Sequence, residues 1–391
     1  MQPSRSLPGA SRLWWLDGLK GISILWVVFF HTYSTYNNRY PWVLDAGYFG
    51  TFMQRCQPES WLGTVGCGLT ALFVAVTGLG FHAVGVFLVA SGFGLTYALQ
   101  PDGPQPAWLN WYGRRLIRLF PMYWLAHLVY LVSPLVARPE PLDYRFLLSF
   151  IGDRVYPVDS IFFYANPAWW YFGLLLQLYL VFPLLYMLLR KAGVARFLLC
   201  TGAFALGSRA VLLGGLPVSG LYLLGAFFGA RLWEFALGMA LGAIARTRWQ
   251  DFEEVLFSRR TLVAGGVLYG LALWSNSGGW TYVFTDPLVG SGLFILLAHL
   301  ARGSGRVPWL AGALAYVGVY SYGLYLLHQP YVIWFGAHSQ QLGLWTYLSL
   351  AVLVIAILTV WAIALESGVN RVTRRCKLRT TGNTNLREGI T

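Results

Sequence analysis

Charge is scarce in this chain. Only 11% of its 391 residues are Asp, Glu, Lys or Arg, while 57% are apolar and the mean hydropathy is +0.56, which excludes an ordinary soluble globular protein and a disordered chain alike. Cysteine is scarcer still. The four at Cys56, Cys67, Cys200 and Cys376 fit no metal spacing and are too few for a disulfide framework, so no metal site is expected. No Ala-x-Ala-type cleavage site follows the first apolar run, so that run reads as a retained span and not as a signal peptide. No internal repeat is evident, which weakens a transporter built from repeated halves.

What remains describes an all-α integral membrane protein. Apolar segments near 16–36, 78–99, 115–136, 168–189, 194–213, 221–245, 261–276, 282–301, 309–335 and 343–366 give about ten transmembrane helices, most of them able to cross ~30 Å of hydrocarbon. A polar lead, 1–13, precedes them and a basic tail, 367–391, follows. The longest loops are 37–77 and 137–167, and the second carries an apolar patch, 146–151, that re-enters the membrane or lies flat on it. Cys56 and Cys67 share the first of these loops and can pair if it faces an oxidising compartment.

The basic residues sort by side. Numbering segments from the amino terminus, 21 of the 28 Lys and Arg lie on the side of that terminus, against six on the other: Arg39, Arg55, Arg138, Arg145, Arg154 and Arg209. Such a bias places both termini in the cytoplasm and makes the net charge of +13 a matter of membrane orientation, with no need of a nucleic-acid partner. The partner implied is the lipid bilayer.

Within the spans the ionisable residues are few and placed. Asp17, Lys20 and His31 occupy the first: Lys20 and His31 are eleven residues apart, which on a helix gives nearly one face and a separation of roughly 16 Å along the axis. A polar stripe through lipid is expensive and points to function, although Asp17 and Lys20 also suit headgroup anchoring and His31 a satisfied interior role. His82 near the outer end of the second segment and His328 near that of the ninth reach a depth similar to His31. Ser321, Tyr325 and His328 stand at i, i+4 and i+7 on one helix face, lining an acceptor chamber or forming an interhelical hydrogen-bond seam. Arg231 and Glu234, at i and i+3, read as a neutralising intramembrane pair that holds the bundle.

Several of these residues sit in longer patterns. The run Leu16-Asp17-Gly18-Leu19-Lys20-Gly21-Ile22 with His31 beyond resembles the opening of the membrane acyltransferase family 3 proteins, in which Arg is followed by ten residues and His; Lys20 replaces that Arg. Val84 to Phe93, with Ser91-Gly92-Phe93, is similar to the family's Ser-Gly-Phe element. Arg114-Arg115-Leu116-Ile117-Arg118, then Pro121 and Tyr123, resembles its Arg-x-x-Arg motif. Trp170 to Pro183 follows its Trp-to-Pro span, with Leu175 where many members have Glu. Arg231 to Gly238 and Ser321 to Pro330 complete an ordered set covering about 14–366.

The resemblance implies an inner-membrane O-acyltransferase that moves an acyl group, commonly acetyl, from cytoplasmic acyl-CoA to a hydroxyl of a cell-surface or exported glycan. Acyl-CoA is then a co-substrate and no bound cofactor is needed. Lys20, Arg115 and Arg118 would bind donor phosphates, Lys20 as a point charge lacking the fork of the Arg it replaces. His31, with Asp17, would be catalytic, as general base or as acyl acceptor. Ser91, His82, Ser321, Tyr325 and His328 are candidates for the acceptor chamber. The rival reading is a transporter or flippase for a carbohydrate or acylated product, since charges within spans also mark transport routes. Oligomeric state, acyl group and glycan stay open.

Overall fold

The computed structural model describes residues 13–36, 41–45, 47–99, 103–104, 106–136, 142–276 and 278–387, with side chains described as far as Arg374. Arg5, Arg12, Arg39 and Arg138, counted above for orientation, lie outside the described residues. Every regular element is helical, and no strand occurs among the described residues. In chain order the helices are α1 (Trp14–Tyr36), α2 (Tyr48–Cys56), α3 (Trp61–Gly78), α4 (Ala83–Tyr97), α5 (Trp108–Val132), α6 (Tyr144–Ile151), α7 (Val158–Ile161), α8 (Trp170–Gly214), α9 (Leu232–Thr247), α10 (Trp249–Leu256), α11 (Arg259–Ser275), α12 (Thr285–Ser304), α13 (Pro308–Val319), α14 (Ser321–Ser339) and α15 (Leu344–Arg387).

Among the described residues, five helical stretches are long and apolar enough to cross a membrane: Trp61–Tyr97, Pro167–Gly214, Phe228–Thr247, Gly279–Ser304 and Leu344–Arg374; α13 and α14 together make a sixth, bent by 77°. The chain is a multi-pass membrane protein. All ten apolar segments fall on helical structure, but the partition differs from the sequence expectation. The two segments at 168–189 and 194–213 form one run that turns at Gly193, where φ 75° suits only a residue without a Cβ. The ninth segment breaks after Val319. The last helix does not stop at 366 but continues as far as Arg387.

The loop expected over 37–77 is mostly helix. Ser60 caps α3 by accepting from the Gly63 N–H at 3.1 Å, and the apolar run behind it joins α4 through one tight turn, Leu79–His82. Trp61, Leu62, Leu69, Leu72 and Val76 face outward on α3, a surface suited to lipid. Cys56 and Cys67 are bonded, tying the end of α2 to α3.

The second loop is pinned to the bundle. Asp143 caps α6, and the Arg145 side chain donating to both of its oxygens holds that carboxyl below the usual carboxylate range. Arg154, 1% exposed, donates to the carbonyls of Ile161 and Tyr164 at 3.0 and 2.8 Å and to the Ser149 hydroxyl. The patch 146–151 is a helix packed beside α5, with Leu147 and Ile151 outward.

Two close approaches set the inner bundle. A Cβ on Gly238 of α9 would stand 2.0 Å from the Val89 carbonyl oxygen of α4. One on Gly318 of α13 would stand 1.7 Å from the carbonyl oxygen of Asp17 in α1. Helices in lipid gain by packing at such small residues, where backbones can meet. The second contact brings the start of α14 against the turn that carries Lys20.

Candidate active site

Between α1, α4, α5, α8, α14 and α15 lies a cavity of about 750 Å³. Lys20 projects into it from α1, Arg115 and Arg118 from one face of α5, and Arg371 and Arg374 from α15. Among the described residues these five cations share the lining with a single carboxyl group, Glu366. The Lys20 Nζ is held by Asp17 Oδ1 at 2.6 Å, one turn earlier on the same helix. Arg115 lies over the Trp111 ring at 5.4 Å, and Trp111 is stacked on Phe182 at 4.9 Å, so packing fixes the guanidinium. Its Nε is buried with no acceptor among the described residues. A donor left so in an apolar wall is costly until an acceptor arrives, and a phosphate oxygen fits it.

Glu366 is turned away from open water. It is 9% exposed, and its Oε2 accepts from the Gly323 N–H at 2.8 Å, near the break between α13 and α14. The Tyr322 hydroxyl donates to the Leu119 carbonyl at 3.0 Å and joins α14 to α5. Ser91 lies 3.3 Å from the Tyr179 hydroxyl, and both line the cavity, as do Ser321 and Tyr325.

At the far end the wall is aromatic. Tyr171 and Tyr325 meet with ring centroids 5.2 Å apart. Behind Tyr325, at 5.7 Å, is the His328 ring, and 5.3 Å beyond it that of His31. The two imidazoles therefore form a pair next to Tyr325, and neither lines the cavity. Asp17 and His31 are fourteen residues apart on α1, about 21 Å along the axis, so Asp17 reaches Lys20 and not His31.

His82 stands elsewhere. Its Nδ1 is 3.0 Å from the Tyr269 hydroxyl, and it does not line the cavity. Arg231 and Glu234 are paired at 2.7 Å, and the pair extends further than the sequence suggests: Arg231 also meets Asp286 at 3.3 Å, and Asp286 meets Arg209 at 2.5 Å. Two cations and two anions close a buried set. The sequence counts Arg209 only among the six cations of the far side, and Asp286 lies 77 residues beyond it, so no local spacing signals the contact.

The structure thus gathers Lys20, Arg115, Arg118, Ser91, Ser321 and Tyr325 around one cavity, sets His31 and His328 together beside it, and leaves His82, Arg231 and Glu234 apart. Sequence reasoning missed Glu366, Arg371 and Arg374. Their signal was present, because a helix continued from 343 at 3.6 residues per turn carries positions 366, 367, 370, 371 and 374 along one face.

The described residues thus form a helical multi-pass body with a cation-lined cavity and, beyond Tyr325, a pair of imidazoles. Comparison with known families identifies the chain: residues 13–366, nearly all of it, match a family model described as an acyltransferase domain. The protein belongs to the acyltransferase 3 family and is a membrane acyltransferase. No curated protein and no solved structure matches it significantly.

Proposed function

We propose that this acyltransferase takes an acyl group from acyl-CoA at the cytoplasmic face and passes it to a hydroxyl of a cell-surface or exported glycan, acetyl being the group expected. The observation that carries the proposal is the cavity wall with Lys20, Arg115, Arg118, Arg371 and Arg374 together. An acyl-CoA brings several phosphate charges, and forked guanidiniums suit them. The aromatic end of the cavity would receive the thioester, with His31 beyond Tyr325 as general base or acyl acceptor and Asp17 holding Lys20 in place. Ser91, Ser321, Tyr325 and His328 belong to the route by which an acceptor hydroxyl would approach.

Orientation follows the same reading. Ten crossings with both termini cytoplasmic put Lys20 and the α15 cations at the inner face and the bonded Cys56 and Cys67 outside, in the compartment where disulfides persist. Family membership favours an enzyme over a carbohydrate transporter. The test uses the purified full chain in a bilayer mimetic with acetyl-CoA and measures free CoA release with and without added glycan, beside a mass comparison of surface glycans from cells with and without the protein. Glycan-stimulated CoA release and a missing acyl mass in the deletion are expected. No turnover of any acyl-CoA would overturn the proposal.

A further inference from the structure

Buried histidines usually satisfy both ring nitrogens, and His127 does. Its Nδ1 donates to the Tyr123 carbonyl at 2.9 Å and its Nε2 meets the Ser149 hydroxyl at 2.8 Å. His328 is equally enclosed, with 0% exposure, yet half of it is unsatisfied. Its Nδ1 faces two carbonyl oxygens, Leu324 at 3.1 Å and Tyr325 at 2.8 Å. Carbonyls only accept, so Nδ1 carries the proton and Nε2 is left with a bare lone pair. That Nε2 is buried without a partner among the described residues, a state that is costly unless a donor fills it. The neighbouring imidazole is His31, with the two ring planes 37° apart.

We infer that Nε2 of His328 is the acceptor for a ring N–H of His31, making His328 a positioning residue that selects the His31 tautomer whose other nitrogen presents its lone pair to the reaction. The inference rests on the role proposed for His31 above. With ring centroids 5.3 Å apart, a turn of His31 about χ2, a soft torsion for an imidazole, would bring a ring N–H toward that lone pair, and such hydrogen bonds are commonly long before substrate binds. In the transfer the acceptor oxygen bonds to the thioester carbonyl carbon and the carbon–sulfur bond breaks. The hydroxyl proton passes to the free nitrogen of His31 and then to the departing thiolate sulfur. Between those two events His31 is an imidazolium, and its second N–H stays on His328, where a low-dielectric setting strengthens the hydrogen bond.

Two substitutions separate this role from packing. The amide of His328→Asn can still donate to the Leu324 and Tyr325 carbonyls but ends short of Nε2. His328→Gln sets an oxygen near that point. In full-length protein that inserts normally, kcat is expected to fall about 100-fold in the Asn variant and about tenfold at most in the Gln variant, with KM for acyl-CoA unchanged in both. Equal kcat for the two variants would overturn the inference. Nitrogen NMR of the histidine-labelled full chain provides a readout independent of turnover: an unprotonated Nε2 on His328 whose resonance moves on His31→Ala supports the contact, and a protonated or unmoved one overturns it. Should the wild type turn over no acyl-CoA, the function proposed above fails while this spectrum still judges the hydrogen bond.

Discussion

The Gly323 N–H donates to Glu366 Oε2 at 2.8 Å, so a carboxylate on the last helix closes the backbone of the helix that carries His328. Two roles are combined there. Glu366 satisfies a buried donor, and among the described residues it is the one acidic side chain on a lining with five basic ones. Glu366→Gln keeps an acceptor without the charge and should retain thermal stability while lowering KM for acyl-CoA. Glu366→Leu leaves the N–H unpaired and should cost about 1–3 kcal/mol, read as a lower unfolding temperature of the purified protein. Equal stability of the two variants would show that the N–H finds another partner.

Cations at the cavity divide by burial. Arg115 is packed on Trp111, whereas Arg118, Arg371 and Arg374 are exposed. Joint replacement of Arg371 and Arg374 by Ala should raise KM for acyl-CoA about tenfold with kcat retained, and the effect should shrink in high salt. Replacing Arg115 and Arg118 together should cost more and be less sensitive to salt. Titration of acyl-CoA at two ionic strengths checks both.

His31 offers a sharper cut. His31→Gln keeps hydrogen-bonding capacity but cannot act as a base, and is expected to lower transfer by roughly 10²- to 10⁴-fold with donor affinity unchanged. Transfer near wild-type rates in this variant would remove His31 from the chemistry.

The α1–α13 contact predicts a local intolerance to a single methyl group. Gly318→Ala pushes a Cβ to 1.7 Å from the Asp17 carbonyl oxygen and should cost about 1–3 kcal/mol through forced separation of the helices. Gly312→Ala on the same helix meets nothing within 4 Å and should be neutral or slightly stabilising. Thermal unfolding of the pair side by side is the measurement.

For orientation, tags at both termini should be shielded in intact cells, and a tag between Gln57 and Ser60 should be accessible from outside. An exposed amino terminus would invert the whole depth assignment.

Much of the site could be read from the chain because charge in lipid is conspicuous. Lys20, Arg115 and Arg118 interrupt apolar runs, and Ser321, Tyr325 and His328 share a helix face by spacing alone. Where position carried two meanings, reading failed. Arg371 and Arg374 look like cytoplasmic anchors, and only the continuation of α15 turns them into the cavity. The 77° bend after α13 has no proline to announce it; Gly318 is explained by contact with α1, a tertiary fact. Likewise α3 is capped and apolar, yet its place in a loop with Cys56 and Cys67 concealed its join to α4.

The cationic wall has one more consequence. It would hold phosphates, and the spent carrier keeps every phosphate that the loaded one brought; only the acyl group has gone. Under the proposed function, attraction to the cations could not tell substrate from product, and discrimination would fall to the aromatic residues around Tyr171 and Tyr325. Under the proposed function, such an enzyme would respond to the ratio of loaded to free carrier, and the extent of acylation would become a gauge of the cell's metabolic state.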